Sequence, residues 1–471
     1  MRGKNTNLDL LNGKIGITFI RLALPILLAM MMQTLFNIVD TYFVSRLGTD
    51  AIAAMGLTFP VFMLSISLGA GISVGVSSLV ARSIGEGETE KSNLAATNGL
   101  LLSIAIGMFF LIMGLIGINP LLRFMGAEEN VFQMSKQYII IIIIAMPIKF
   151  LFHAIDGIFR GEGKTKLSMA VLLSSSVMNI ILDPLLIFGI GPFPQMGIAG
   201  AAVATAISWT SGLLLGISFI LKGKSSIEIK KKYITYKWKL IIGILKVGLP
   251  SSVAQGAIAF TMVFVNKFAM EFSEEAVAAY ALGFRIDTIT ILPGVALGAA
   301  TIAMLGQNFG AKRFDRVQEI HQKATIYAMS IMAGLAVLVF VFPRPLLMIF
   351  LSEAEGNAAE VLRHGTSYLR IMALSYTFIG MGMVANSSFQ AIGKGLPTFI
   401  TTAIRFFVLA IPLSYTLAYL VNMEITGIWI GLAASNVFFG IVSKVWFKAH
   451  FIQKYRMDSG DVKLRDGEFE N

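Results

Sequence analysis

The chain is a succession of long apolar segments. A helix needs about 20 apolar residues to cross a bilayer. Twelve stretches reach that length: 17–44, 52–81, 94–117, 132–158, 167–190, 197–221, 242–270, 277–306, 318–342, 359–385, 397–420 and 425–449. Backbone in lipid must satisfy its own hydrogen bonds, which leaves only helices and closed barrels. Barrel strands alternate over about ten residues, whereas these segments are continuously apolar. An all-α polytopic membrane protein is expected, with a retained first span, because residues 1–14 are polar and no small-residue cleavage site follows. Composition agrees, with 14% charged residues and a mean hydropathy of +0.76. A soluble domain carries about 25% charged residues, so a soluble enzyme, a nucleic-acid binder and a disordered scaffold are excluded. There is no cysteine, which removes disulfides, thiolate metal sites, cysteine nucleophiles and palmitoylation.

The net charge of +11 reads as loop charge rather than as a nucleic-acid footprint. Cations gather at the N-terminus (Arg2, Lys4, Lys14) and in the even loops, as at Arg82 and Lys91, then Arg160, Lys164 and Lys166, then Lys312, Arg313 and Arg316. The tail adds Lys454, Arg456, Lys463 and Arg465. Odd loops hold few: Arg46, Arg123, Lys136, Lys267 and Arg344. The positive-inside rule then places both termini in the cytoplasm of a multi-pass plasma-membrane protein. The segment 222–239, with seven lysines, reads as a basic cytoplasmic linker between 1–221 and 240–471. Anionic-lipid binding is the other reading of its charge.

An internal repeat carries more. Shifted by 225, Leu24–Pro25 meets Leu249–Pro250, Ala51-Ile-Ala-Ala meets Ala276-Val-Ala-Ala, and Gly85 meets Gly310. A shift of 230 then aligns Tyr138 with Tyr368, Phe159 with Phe389 and Gly163-Lys164 with Gly393-Lys394. An offset held this steadily implies six helices plus six in parallel orientation, two pseudo-symmetric six-helix bundles. Parallel repeats are a transporter architecture.

Enzyme-like strings fail on context. Gly161-Glu-Gly-Lys-Thr165 lacks the first glycine of a phosphate loop and follows no strand. Gly69, Gly71 and Gly75 read as close helix packing. No HExxH motif or histidine cluster occurs, and there are only four histidines, so no enzyme is expected.

Ionisable residues inside spans are expensive and functional by default. The first span carries Gln33, Asn37 and Asp40 on one helical face, and the fifth carries Ser176, Asn179 and Asp183. The sixth adds Ala201, Thr205 and Ser208. At 1.5 Å per residue, Asp40 lies roughly 27 Å along its span and Asp183 roughly 24 Å along its own. Two acids at one depth, with no Lys or Arg in either stripe, call for a bound proton or metal cation. Hydrogen-bonding glue between helices is the bland alternative. The Asp, Asn and Thr oxygens are hard ligands of the kind an alkali cation prefers, so Na⁺ at Asp40, Asn179, Asp183 and Thr205 is one candidate.

The fourth span offers Lys149, His153, Asp156 and Arg160, read either as a pathway-lining stripe or as an intrahelical ladder. In the second half, Asp287 is expected to pair with Arg285 or Arg405. The repeat partners of Asp40 and Asp183 are Val265 and Leu413, so the acid pair belongs to the first half alone.

These features resemble the multidrug and toxic compound extrusion (MATE) transporters, and most the branch related to DNA-damage-inducible protein F with its archaeal and bacterial members. The resemblance covers about residues 15–450 and rests on Pro25 and Asp40, the Ala51–Leu57 turn, the Gly85 loop and the Asn179–Asp183 pair. It implies a V-shaped pair of bundles that exports amphipathic, often cationic compounds against H⁺ or Na⁺ by alternating access. It further implies a cation site at Asp40, Asn179, Asp183, Thr205 and Ala201, a surrounding network with Tyr138 and Asp156, and a bend at Pro25. Gln33, Asn37, Ser176 and Ser208 are expected to line the substrate path. No cofactor beyond the coupling ion is expected. The expected partners are the bilayer and small organic substrates, without nucleic acid, for a monomer. A lipid-linked saccharide or polyprenyl flippase of the same superfamily is the alternative.

Overall fold

The computed structural model describes residues 9–126, 128–351 and 357–454. The cations Arg2, Lys4, Arg456, Lys463 and Arg465 lie outside the described residues. Helices run in the order α1 (Ile15–Ser45), α2 (Thr49–Gly85), α3 (Thr89–Phe124), α4 (Glu129–Ile144), α5 (Met146–Gly161), α6 (Thr165–Phe188) and α7 (Ile198–Leu221). After the linker come α8 (Trp238–Met270), α9 (Glu274–Gly310), α10 (Phe314–Val341), α11 (Pro343–Met348), α12 (Ala358–Ala391), α13 (Leu396–Leu420) and α14 (Glu424–Lys454). No strand occurs among the described residues. Among the described residues eleven helices are long and apolar enough to cross a membrane, or twelve if α4 and α5, bent by 49°, count as one span.

Helix boundaries repeat along the chain. α2 and α9 each hold 37 residues, and both ends are displaced by the 225 residues that align the two halves. The fourth span departs from its expected continuity. Pro147 sits at the start of α5, removing an N–H and clashing with the preceding turn, so the helix breaks at Ala145. The repeat partner of Pro147 is Thr377, and α12 runs unbroken. α13 in turn contains π-helical turns at Ile404–Ala410 and Thr416–Leu420 that flank Pro412.

The described residues fall into two compact units, one within 20–252 together with Asp9, the other within 253–454 together with Leu10–Phe19. The division thus falls inside α8, beyond the basic linker. In the first unit, α2 and the start of α8 meet backbone to backbone, since a Cβ on Gly71 would stand 2.4 Å from Gly248 O and one on Gly75 2.5 Å from Ile244 O. The linker lies on this unit too. Asn93 Oδ1 accepts from Glu228 N at 2.8 Å, and Asn98 holds both Thr235 O (3.1 Å) and Lys237 N (2.8 Å). Lys164 Nζ donates to Lys224 O at 2.8 Å. In the second unit, Asn308 Nδ2 donates to Leu10 O at 2.9 Å, and Arg313 donates to Leu11 O at 2.9 Å. Tyr280, Tyr368 and Trp429 form its aromatic centre, with ring centroids 4.9–5.8 Å apart. Large apolar side chains such as Ile116, Phe109, Leu214 and Val263 remain exposed, the surface a lipid solvent requires rather than an error of packing.

Candidate cation-binding site

α6 and α7 form a close hairpin. A Cβ on Gly200 would stand 2.5 Å from Leu186 O, so a larger residue would push the two helices apart. That approach lets Asn179 Nδ2 on α6 donate to Thr205 Oγ1 on α7 at 3.3 Å. One turn along α6, Asp183 is wholly buried. α1 supplies Asp40, whose carboxyl meets that of Asp183 in a contact that is a hydrogen bond only when one of the two carries a proton.

The oxygens of this cluster are conspicuously short of donors. Asp40 Oδ1, Asn179 Oδ1 and both carboxyl oxygens of Asp183 are buried without a hydrogen-bond partner. An unsatisfied buried polar atom costs about 1–3 kcal/mol, and more when charged, and here four lie together. Tyr138 of α4 is buried within electrostatic range of both acids. The set fits a proton or a hard monovalent cation: carboxylate, amide and hydroxyl oxygens, no nitrogen or sulfur ligand, and a spare lone pair on every member.

Other residues picked from the sequence fall differently. Ala201, Ser176 and Ser208 are buried on the same two helices, but Ser208 Oγ donates to Ala204 O at 2.7 Å. Gln33 and Asn37 are exposed on α1. Pro25 lies inside an α1 that continues unbroken to Ser45. Asp156 joins a different cluster, accepting from Ser73 Oγ at 3.1 Å and from Ser168, with Arg160 Nε 2.9 Å away in an ion pair.

In the fourth-span stripe Asp156 and Arg160 pair along the helix, whereas Lys149 is held by other helices. Lys149 is 2% exposed and donates to Ser65 Oγ at 2.5 Å, with its ammonium 4.6 Å from the centre of the Phe62 ring and 4.8 Å from that of Trp209. α5 turns it toward α2 and α7, which supply its partners. Sequence spacing missed this because Ser65, Phe62 and Trp209 lie on other helices.

Asp287 also differs from expectation. Its carboxylate accepts from Tyr368 Oη at 2.6 Å and from Tyr376 Oη, both on α12. Arg405 is within electrostatic range, yet its Nε donates to Asn436 Oδ1 at 2.9 Å. Two phenols spaced eight residues apart share one helical face and satisfy both carboxylate oxygens, so no arginine contact is needed.

Two repeated sets of membrane-length helices, with unbonded acids buried inside the first, define a polytopic membrane transporter. The chain belongs to the MatE family, which it matches over residues 25–185 and 250–416, one segment in each half. It is 30% identical to "Probable multidrug resistance protein YoeA" of Bacillus subtilis over 90% of this chain and 92% of that protein. It is 26% identical to the "FAD transporter" of Shewanella oneidensis, over 92% and 94% respectively. Among solved structures it resembles an outward-facing multidrug resistance MATE family transporter of the MOP superfamily, with a TM-score of 0.89, 29% identity, and coverage of 95% of this chain and 98% of that one.

Proposed function

We propose that the protein exports amphipathic organic compounds across the plasma membrane in exchange for H⁺ or Na⁺, by alternating access. The observation that carries the coupling is the group of four unbonded oxygens on Asp40, Asn179 and Asp183. Such a group is stable when a proton or cation satisfies it and costly when empty, so its occupancy biases whichever conformations close or open it. Asp40, Asn179, Asp183 and Thr205 would hold the ion, and Ala201 and Tyr138 shape its surroundings. Efflux follows if substrate and ion favour opposite states, since each then lowers the affinity for the other.

Relatives described as multidrug resistance proteins and as an FAD transporter point to aromatic, amphipathic substrates. A flippase for pyrophosphate-linked lipid is not favoured, because the unbonded groups of the site are carboxyl and amide oxygens, which attract cations. The deciding experiment is efflux of a fluorescent aromatic cation from proteoliposomes under separately imposed Na⁺ and pH gradients. Efflux driven by one gradient and abolished by its collapse supports the reading. Efflux indifferent to both overturns it.

A further inference from the structure

The second unit holds a cavity of about 310 Å³ between the first half of α10 and the last half of α14. Ile326, Met329 and Phe447 make its wall apolar, and Lys444 and Lys448 stand exposed at its rim. One helical turn separates these lysines, so their ammonium groups share a face. No acid lines the cavity. It sits at the end of the bundle that carries Lys312, Arg313 and Arg316, where α10 begins.

His321 adds a second and independent demand. It lines the cavity, is 6% exposed, and packs on Phe447 with ring centroids 4.4 Å apart. Ser388 Oγ donates its only proton to Val384 O at 2.8 Å. The 2.9 Å contact between Ser388 Oγ and His321 Nδ1 therefore has the ring nitrogen donating. That leaves Nε2 of the neutral ring as a bare acceptor, and Nε2 is buried without a partner. Thr325 cannot supply the missing donor, since its hydroxyl proton goes to His321 O at 2.7 Å.

We infer that this groove binds one anionic phospholipid whose headgroup carries a hydroxyl. The phosphate lies against Lys444 and Lys448, the headgroup hydroxyl donates to His321 Nε2, and an acyl chain follows Ile326, Met329 and Phe447. Each part matches a feature of the groove: paired cations at the rim, an acceptor short of a donor inside, and an apolar wall continuous with the lipid-facing surface. A choline headgroup offers neither net charge nor a donor, so the groove discriminates against it.

The test is native mass spectrometry of the delipidated full-length protein with added phosphatidylglycerol, phosphatidylmethanol (equal in charge but without a hydroxyl) or phosphatidylcholine. Phosphatidylglycerol should bind roughly thirtyfold more tightly than phosphatidylcholine, the effect of two lysines near a lipid phosphate. K444Q/K448Q should remove that preference, while K237Q/K239Q, equal in charge lost but outside the groove, should keep it. His321→Phe, with folding checked by thermal melting, should keep phosphatidylmethanol binding and lose the advantage of phosphatidylglycerol over it. Equal binding of all lipids, or a preference untouched by K444Q/K448Q, overturns the inference. Displacement of bound lipid by millimolar inorganic phosphate alone would also overturn it, marking a site for free anions.

Discussion

Asp40 and Asp183 test the site most sharply. Asp40→Asn keeps shape and hydrogen-bonding capacity but removes the charge, so the protein should insert and fold normally while gradient-driven efflux is lost. Asp183→Asn should do nearly the same, and the double variant should be little worse than either, because losses from residues acting as a unit do not add. Full coupled efflux in vesicles bearing Asp40→Asn would remove the cluster from the mechanism. Lys149 gives a stability prediction. Its bond to Ser65 is one between a charge and a hydroxyl, worth about 1.5–3 kcal/mol. Ser65→Ala should therefore lower thermal stability, whereas Lys149→Met, which removes the buried cation itself, should leave it unchanged or raise it. Adding Lys149→Met to Ser65→Ala should recover the loss, and melting temperatures of the three variants in one detergent decide the matter.

Among the elements, α1 and the linker respond differently to substitution. Pro25 lacks an N–H for the turn before it, which leaves α1 free to bend there at low cost. Pro25→Ala should insert normally and change the rate of efflux rather than its coupling; identical kinetics would show that bending at this position is irrelevant. The linker is fastened through its backbone, by Asn93 and Asn98, while its lysines are exposed. Neutralising Lys230, Lys231 and Lys232 should leave transport by correctly inserted protein nearly unchanged. Asn98→Ala, which removes two of the fastenings, should instead make residues 222–239 cleavable by trypsin in inside-out vesicles, and unchanged resistance would locate the fastening elsewhere.

For the whole molecule, orientation is open to a direct measurement, because the chain contains no cysteine. A single introduced thiol is then the only labelling site. Lys231→Cys should be protected from an impermeant maleimide in intact cells and labelled in inside-out vesicles. Asn422→Cys, between α13 and α14, should show the reverse. Labelling of Lys231→Cys from outside would invert the topology and the expected direction of export.

What the sequence determined by itself is everything that rests on period and length. Apolar runs of bilayer thickness dictate helices, since lipid offers the backbone no alternative partner. The repeat at 225 to 230 residues dictates two similar halves, and the stripes Gln33–Asn37–Asp40 and Ser176–Asn179–Asp183 follow from helical spacing within single segments. Only the tertiary structure decided which helices face one another. It chose Tyr368 and Tyr376 rather than an arginine for Asp287, and Ser65 with two aromatic rings for Lys149. It gave Asp156 a serine from α2 and another from α6, beside the Arg160 one turn along its own helix. It also brought Asp40 of α1 against Asp183 of α6, which matching depth made plausible but left unproved. The physical reason is common to the first three. A buried charge needs partners at hydrogen-bond distance, and those partners lie on helices whose rotation and packing no local periodicity encodes.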